Sequence, residues 1–155
     1  MRLSNIVNLV SYPIHDSSTQ IYKNLINKYR EELNTVGCCR ISNFIRKESI
    51  IRMHGEVERN RGKIYWSQDN HNPYFTKDDP LLPKDHPKRI FEKRKSGYVN
   101  SDILEKNSDL RTLYKKKELV RFVSDCLGVA PIYCWADPLG SNPYSIMDPG
   151  HYFPW

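Results

Sequence analysis

The sequence predicts an α+β fold, and three observations carry that reading. Apolar residues recur at helical spacing over 21–33, 47–60 and 108–127. Two short apolar runs, 132–135 and 144–147, are bounded by Pro, Gly, Asn and Asp and read as strands joined by a turn over 137–143. No internal repeat or low-complexity run interrupts them, and 155 residues is the length of one ordinary domain.

In chain order, Ser17, Ser18 and Thr19 offer capping hydroxyls to the first helix. Its apolar face is Ile21, Tyr22, Leu25, Ile26, Tyr29 and Leu33, and Gly37 supplies a left-handed stop. The stretch 38–45 is short and apolar enough for a strand. A second helix is expected over 47–60, with Ile50, Ile51, His54 and Val57 facing inward. From 63 to 101 periodicity fails and X-Pro steps are frequent, so this stretch reads as a long ordered loop. Tyr65, Trp66, Tyr74, Phe75, Ile90 and Phe91 should hold it against the domain. The helical signal returns at Ser108, with Leu110, Leu113, Tyr114, Leu119, Phe122, Val123, Cys126 and Leu127 in apolar groups before Gly128. The expected organisation is a single domain over 1–155, with a helical region at 1–128 and core strands at 129–155.

Composition narrows the class without naming it. The chain is 39% hydrophobic, 27% charged and 12% aromatic, which argues against disorder. Its 24 Lys and Arg against 18 Asp and Glu give a net charge of +6, which suits a basic binding surface or an anionic ligand, with an ordinary surface the preferred reading on charge alone. Cys38, Cys39, Cys126 and Cys134 lack both zinc-knuckle spacing and the distribution of disulfide staples. They read as reduced thiols, with a cytoplasmic location expected. The first fourteen residues form neither a convincing secretory signal nor a membrane span.

Candidate chemistry centres on a few side chains. His54-Gly55-Glu56 has His-x-carboxylate spacing, yet on a helix residues two apart point to different sides, and a helix-face histidine is the preferred reading. In Lys84-Asp85-His86-Pro87-Lys88-Arg89 the proline holds His86 extended, and Arg89 has the fork to clamp a carboxylate; a solvated basic turn is the competing reading. Asp137 and Asp148 precede prolines at the ends of the expected strands, where each could receive an amine or start a turn. Lys115-Lys116-Lys117 with Arg121 invites a nucleic-acid reading, although a solvated helix face is the commoner cause of such a run. No hydrolase triad, phosphate loop or dinucleotide fingerprint is present.

Several weak motifs in a fixed order carry a resemblance. They are Gly37-Cys-Cys-Arg-Ile-Ser-Asn-Phe44, Pro83-Lys-Asp-His-Pro-Lys-Arg89, Leu110-Arg-Thr-Leu-Tyr114 with 119–128, Asp137-Pro-Leu-Gly140, Gly150 and Pro154-Trp155. From about Leu33 onward the chain resembles the N-terminal half of the non-haem iron(II)/2-oxoglutarate oxygenases, in the group that hydroxylates or halogenates free amino acids, including lysine. The resemblance implies a double-stranded β-helix (jelly-roll, cupin-like) flanked by N-terminal helices, with Fe(II) and 2-oxoglutarate as cofactors. In that family Pro-Trp precedes His-x-Asp in hydroxylases or His-x-Gly in halogenases, so the metal ligands are expected beyond Trp155. The chain would then be a fragment, truncated before the metal motif and inactive alone. Unpaired strand edges would leave it prone to aggregation or in need of a C-terminal complementing chain.

On this reading the partner is a small amino-acid-like substrate, with no membrane and no nucleic acid. Arg89 is expected to pair with its carboxylate, Asp137 to receive its ammonium, and His86 to position one or the other. These three roles follow from residue chemistry and not from a matched family motif. Two alternatives stand beside it: a basic nucleic-acid-binding module, and a non-catalytic subunit that completes its sheet with another chain.

Overall fold

A computed structural model describes residues 2–151. Among them are α1 (Gln20–Val36), α2 (Lys47–Arg59), α3 (Asp109–Tyr114) and α4 (Lys117–Leu127), with β1 (Tyr65–His71), β2 (Glu92–Val99) and β3 (Tyr144–Met147). The strands form one antiparallel sheet in the order β1-β2-β3. The α+β expectation agrees with this mixture of helix and sheet.

The first helix begins and ends where its sequence signals stand. The Thr19 hydroxyl accepts the Tyr22 N–H, and Gly37 adopts a left-handed φ of 78° as its own N–H bonds the Leu33 carbonyl. Tyr22, Ile26 and Tyr29 are buried, whereas Ile21 faces solvent. Gly128 closes α4 in the same left-handed way.

Phe122 on α4 is the hub of the core. Its ring meets Tyr22 and Tyr29 edge-on at centroid distances of 5.9 and 6.3 Å and stacks on Phe44 at 6.0 Å. Leu3, Ile6, Val7, Ile14, Ile26, Leu113 and Cys126 complete the buried cluster. The N-terminal segment thus belongs to the core, clipped to 44–46 by the Val7–Ile45 bridge and by bonds from Asn8 and Arg46 N–H groups. That isolated bridge is all the pairing 38–45 makes, so the strand expected there is absent.

Three further expectations are corrected. The stretch 63–101 is not a loop throughout: β1 and β2 pair over seven residues, from Tyr65↔Tyr98 to His71↔Glu92. Their sequences, YWSQDNH and EKRKSGYV, hide this because polar residues occupy both faces and the main-chain ladder does the pairing. Gly97 is required at its position, since a Cβ there would lie 2.7 Å from Ile64 and 3.0 Å from the Trp66 ring. The stretch 132–135 forms no strand, and β3 pairs with β2 instead, from Ser96↔Met147 to Val99↔Tyr144. The helix expected over 108–127 breaks in two where Lys116 turns extended and becomes the N-cap of α4. This places the lysine run at a corner of the chain.

The inward face of α2 is also different from expectation. Ile50 and Ile51 are 53% and 61% exposed, while Ser49 and Glu56 are buried. The reason is what α2 packs against. Glu56 accepts the Glu105 N–H (2.9 Å), the Ser108 hydroxyl (2.7 Å) and the Tyr144 hydroxyl (3.1 Å). Nearby, Asp109 accepts from the Ser49 hydroxyl (2.6 Å) and from Arg52 Nε (2.9 Å). A carboxylate in such company can be buried where a leucine would strand several donors. This network joins α2, α3 and β3. The terminal 152–155 of the expected core-strand region lies outside the described residues.

Candidate functional site

The segment 134–142 folds back across the end of α3 and encloses a cleft of about 410 Å³. Tyr114, the last residue of α3, fixes one wall: its hydroxyl oxygen accepts the Trp135 N–H at 2.6 Å, and the Cys134 thiol donates to its carbonyl at 3.2 Å. Leu139 accepts the Ser101 N–H at 2.9 Å, and the Ser101 hydroxyl accepts the Asn142 N–H at 2.8 Å, which tie the other wall to the chain after β2. The volume falls within the range of about 300–1,000 Å³ usual for small-molecule sites.

Both signs of charge line this cleft. Asp102 and Asp137 contribute carboxylates, and Arg111 and Lys115 contribute cations. Asp137 Oδ1 accepts the Leu139 N–H at 2.7 Å and the Gly140 N–H at 3.2 Å. These backbone donors, Leu139 foremost, hold its carboxyl below the ordinary aspartate range, so it is ionised at neutral pH. Arg111 is steadied by Nη1 donating to the Leu104 carbonyl at 3.0 Å. Asn142 is 9% exposed, and its side-chain Nδ2 has no hydrogen-bond partner although its Oδ1 accepts from the Ser141 hydroxyl. A buried amide donor left unmade beside a polar cleft is costly unless something else accepts from it.

The three site residues read from the sequence are not brought together. Asp137 lines the cleft, but neither Arg89 nor His86 does. Arg89 already holds a carboxylate: Nε and Nη2 donate to the two oxygens of Asp78 at 2.9 and 3.2 Å, and Nη1 donates to the Leu82 carbonyl at 2.9 Å. His86 Nδ1 accepts the Lys88 N–H at 3.2 Å, capping the short turn Pro87–Arg89. Both residues shape the loop between β1 and β2. The carboxylate clamp read from the sequence exists, with Asp78 of the same chain as its occupant.

Arg111, Tyr114, Trp135 and Asn142 were not singled out for the site from the sequence. The signal available was the Asp137-Pro-Leu-Gly140 turn followed by Asn142-Pro143, which folds the segment back on itself; the partner helix was not legible.

His54 and Glu56 point apart as helical spacing dictates: His54 is exposed beside Glu58, and Glu56 is buried in the α2 network. Among the described residues no group of three His, Cys, Asp or Glu side chains is placed to hold a metal ion. No helix among the described residues is long and apolar enough to cross a membrane. No family model, curated protein or solved structure matches the chain.

Proposed function

We propose that the chain is the N-terminal portion of an iron(II)/2-oxoglutarate-dependent oxygenase acting on a small amino-acid-like substrate, and that the cleft at Asp137 takes that substrate. The observation that carries the substrate side is an ionised Asp137 lining the same cleft as Arg111 and Lys115, in a volume of suitable size. A zwitterion needs both signs: the carboxylate of Asp137 receives the ammonium, and the cations Arg111 and Lys115 receive the carboxylate. Arg89 and His86 support the neighbouring loop and stand outside the contact set. The oxygenase side rests on the ordered motifs of the sequence.

Titrating the protein with lysine while following tryptophan fluorescence tests the cleft, because Trp135 forms its wall. Lysine is expected to bind, with cadaverine and 6-aminohexanoate, which each lack one α-substituent, about tenfold weaker or worse. Asp137→Asn is expected to abolish the preference for lysine over 6-aminohexanoate. Equal binding of all three ligands, or none, overturns the substrate reading. For the oxygenase class, the coding sequence past Trp155 is expected to encode His-x-Asp or His-x-Gly; neither motif in any frame removes that class.

A further inference from the structure

A second groove shares Lys115 and Cys134 with the cleft, but its remaining lining differs in chemistry. It measures about 410 Å³ and is lined by Lys115, Lys117 and Arg121 on the α4 side and by Pro131, Ile132 and Tyr133 on the other. No carboxylate is among its lining residues. Arg121 is held in place by Nη2 donating to the Ile14 carbonyl at 2.7 Å and by its position over the Tyr22 ring. Tyr133 is 83% exposed.

The main chain along this groove is unpaired. Among the described residues no backbone–backbone hydrogen bond involves 130–136, and the N–H and carbonyl groups of Ile132, Tyr133 and Cys134 have no protein partner. The residues are nevertheless good strand formers, with β-branched and aromatic side chains at Ile132 and Tyr133. A row of free main-chain donors and acceptors in strand-forming sequence is a template for adding one more strand. The flanking cations decide which strand: three positive groups and no negative one favour an acidic segment.

We propose that residues 131–134 are the docking edge for an extended acidic segment of a partner protein, which adds to Ile132–Cys134 through main-chain hydrogen bonds and sets its carboxylates against Lys115, Lys117 and Arg121. The free main-chain N–H and carbonyl groups favour a peptide over a nucleic acid, whose backbone has no amide donors to offer the carbonyls. The groove shares Lys115 with the cleft, but the proposal does not depend on the oxygenase reading.

The test is an NMR titration of the labelled 155-residue chain with three probes: an eight-residue peptide of alternating Glu and Val, its Lys-Val counterpart, and an eight-nucleotide single-stranded DNA. The Glu-Val peptide is expected to shift the Ile132, Tyr133 and Cys134 amides saturably, to slow their hydrogen exchange, and to bind about tenfold more tightly than the Lys-Val peptide. Lys117→Glu should weaken that binding by about fivefold while leaving lysine binding at the Asp137 cleft unchanged. Tyr133→Pro, which removes one main-chain donor, should weaken it with the groove charges intact. Absence of saturable shifts at these amides, equal affinity for the two peptides, or tighter binding of the DNA overturns the proposal.

Discussion

The body built on α1 and α4 and the joint of α2 with the sheet are stabilised by opposite means. Around Phe122 the buried residues are almost all apolar: Leu3, Ile6, Val7, Ile14, Ile26 and Leu113 with the two tyrosines. Around the sheet the fully buried positions include Ser96 and Asn72, and the side chain joining sheet to helix is the carboxylate of Glu56. Asn72 alone donates to the Thr76 and Lys88 carbonyls and accepts the Tyr74 and Thr76 N–H groups, fixing the loop that leaves β1. Apolar packing tolerates small shifts of position, whereas a polar network demands that every partner be in place. The N-terminal segment, α1 and α4 thus share an apolar core, and α2, the start of α3 and the sheet are joined by directional bonds.

That contrast can be broken at its strongest point first. Phe122→Ala removes the ring shared by Tyr22, Tyr29 and Phe44 and is expected to cost about 3–5 kcal/mol in denaturant unfolding. It should lower hydrogen-exchange protection in α1 and α4 together. A loss under about 1 kcal/mol would mean that Phe122 is not the hub.

Glu56→Ala sharpens the comparison. It leaves the Ser108 and Tyr144 hydroxyls and the Glu105 N–H without their acceptor, at an expected cost of about 2–3 kcal/mol. Protection should fall in β3 and at the start of α3 while α1 keeps its own. Equal loss in α1 would show one cooperative body and defeat the division drawn above.

The smallest effect is a pH dependence that belongs to the apolar part. Burial, reinforced by the hydrogen bond to Asp125, pushes the Tyr22 phenol up from 10.0 to about 12. In the unfolded chain the phenol ionises near 10, so between these values the folded state holds the extra proton. Stability is therefore expected to fall as pH rises from 10 toward 12. Tyr29 and Tyr144 shift in the same direction, each chiefly by burial. Tyr22→Phe should flatten part of the alkaline loss in a series of melts; an unchanged slope would remove Tyr22 as a contributor.

The helices were legible because their signals are local. Thr19 and Gly37 bound α1, Gly128 ends α4, and Tyr22, Ile26 and Tyr29 repeat at the spacing that one buried face requires. The buried face of α2 was not legible, since Ser49 and Glu56 are interior only because Asp109 and Ser108 arrive from more than fifty residues away. The same holds for the cleft: Asp137 could be picked out, but its neighbours Arg111 and Tyr114 come from a helix whose placement no local pattern encodes.

What the sequence determined by itself is the set of elements whose hydrogen bonds and apolar faces close within a few residues: α1, α2, the two ends of the 108–127 helical stretch, and the turn at Asp137. Only the tertiary structure decided that the polar stretches 65–71 and 92–99 pair, that 144–147 joins them, and that Ile132–Cys134 is left with its main chain unpaired. A strand acquires its partners from elsewhere in the chain, so its pairing is a property of the assembled fold and not of its own residues.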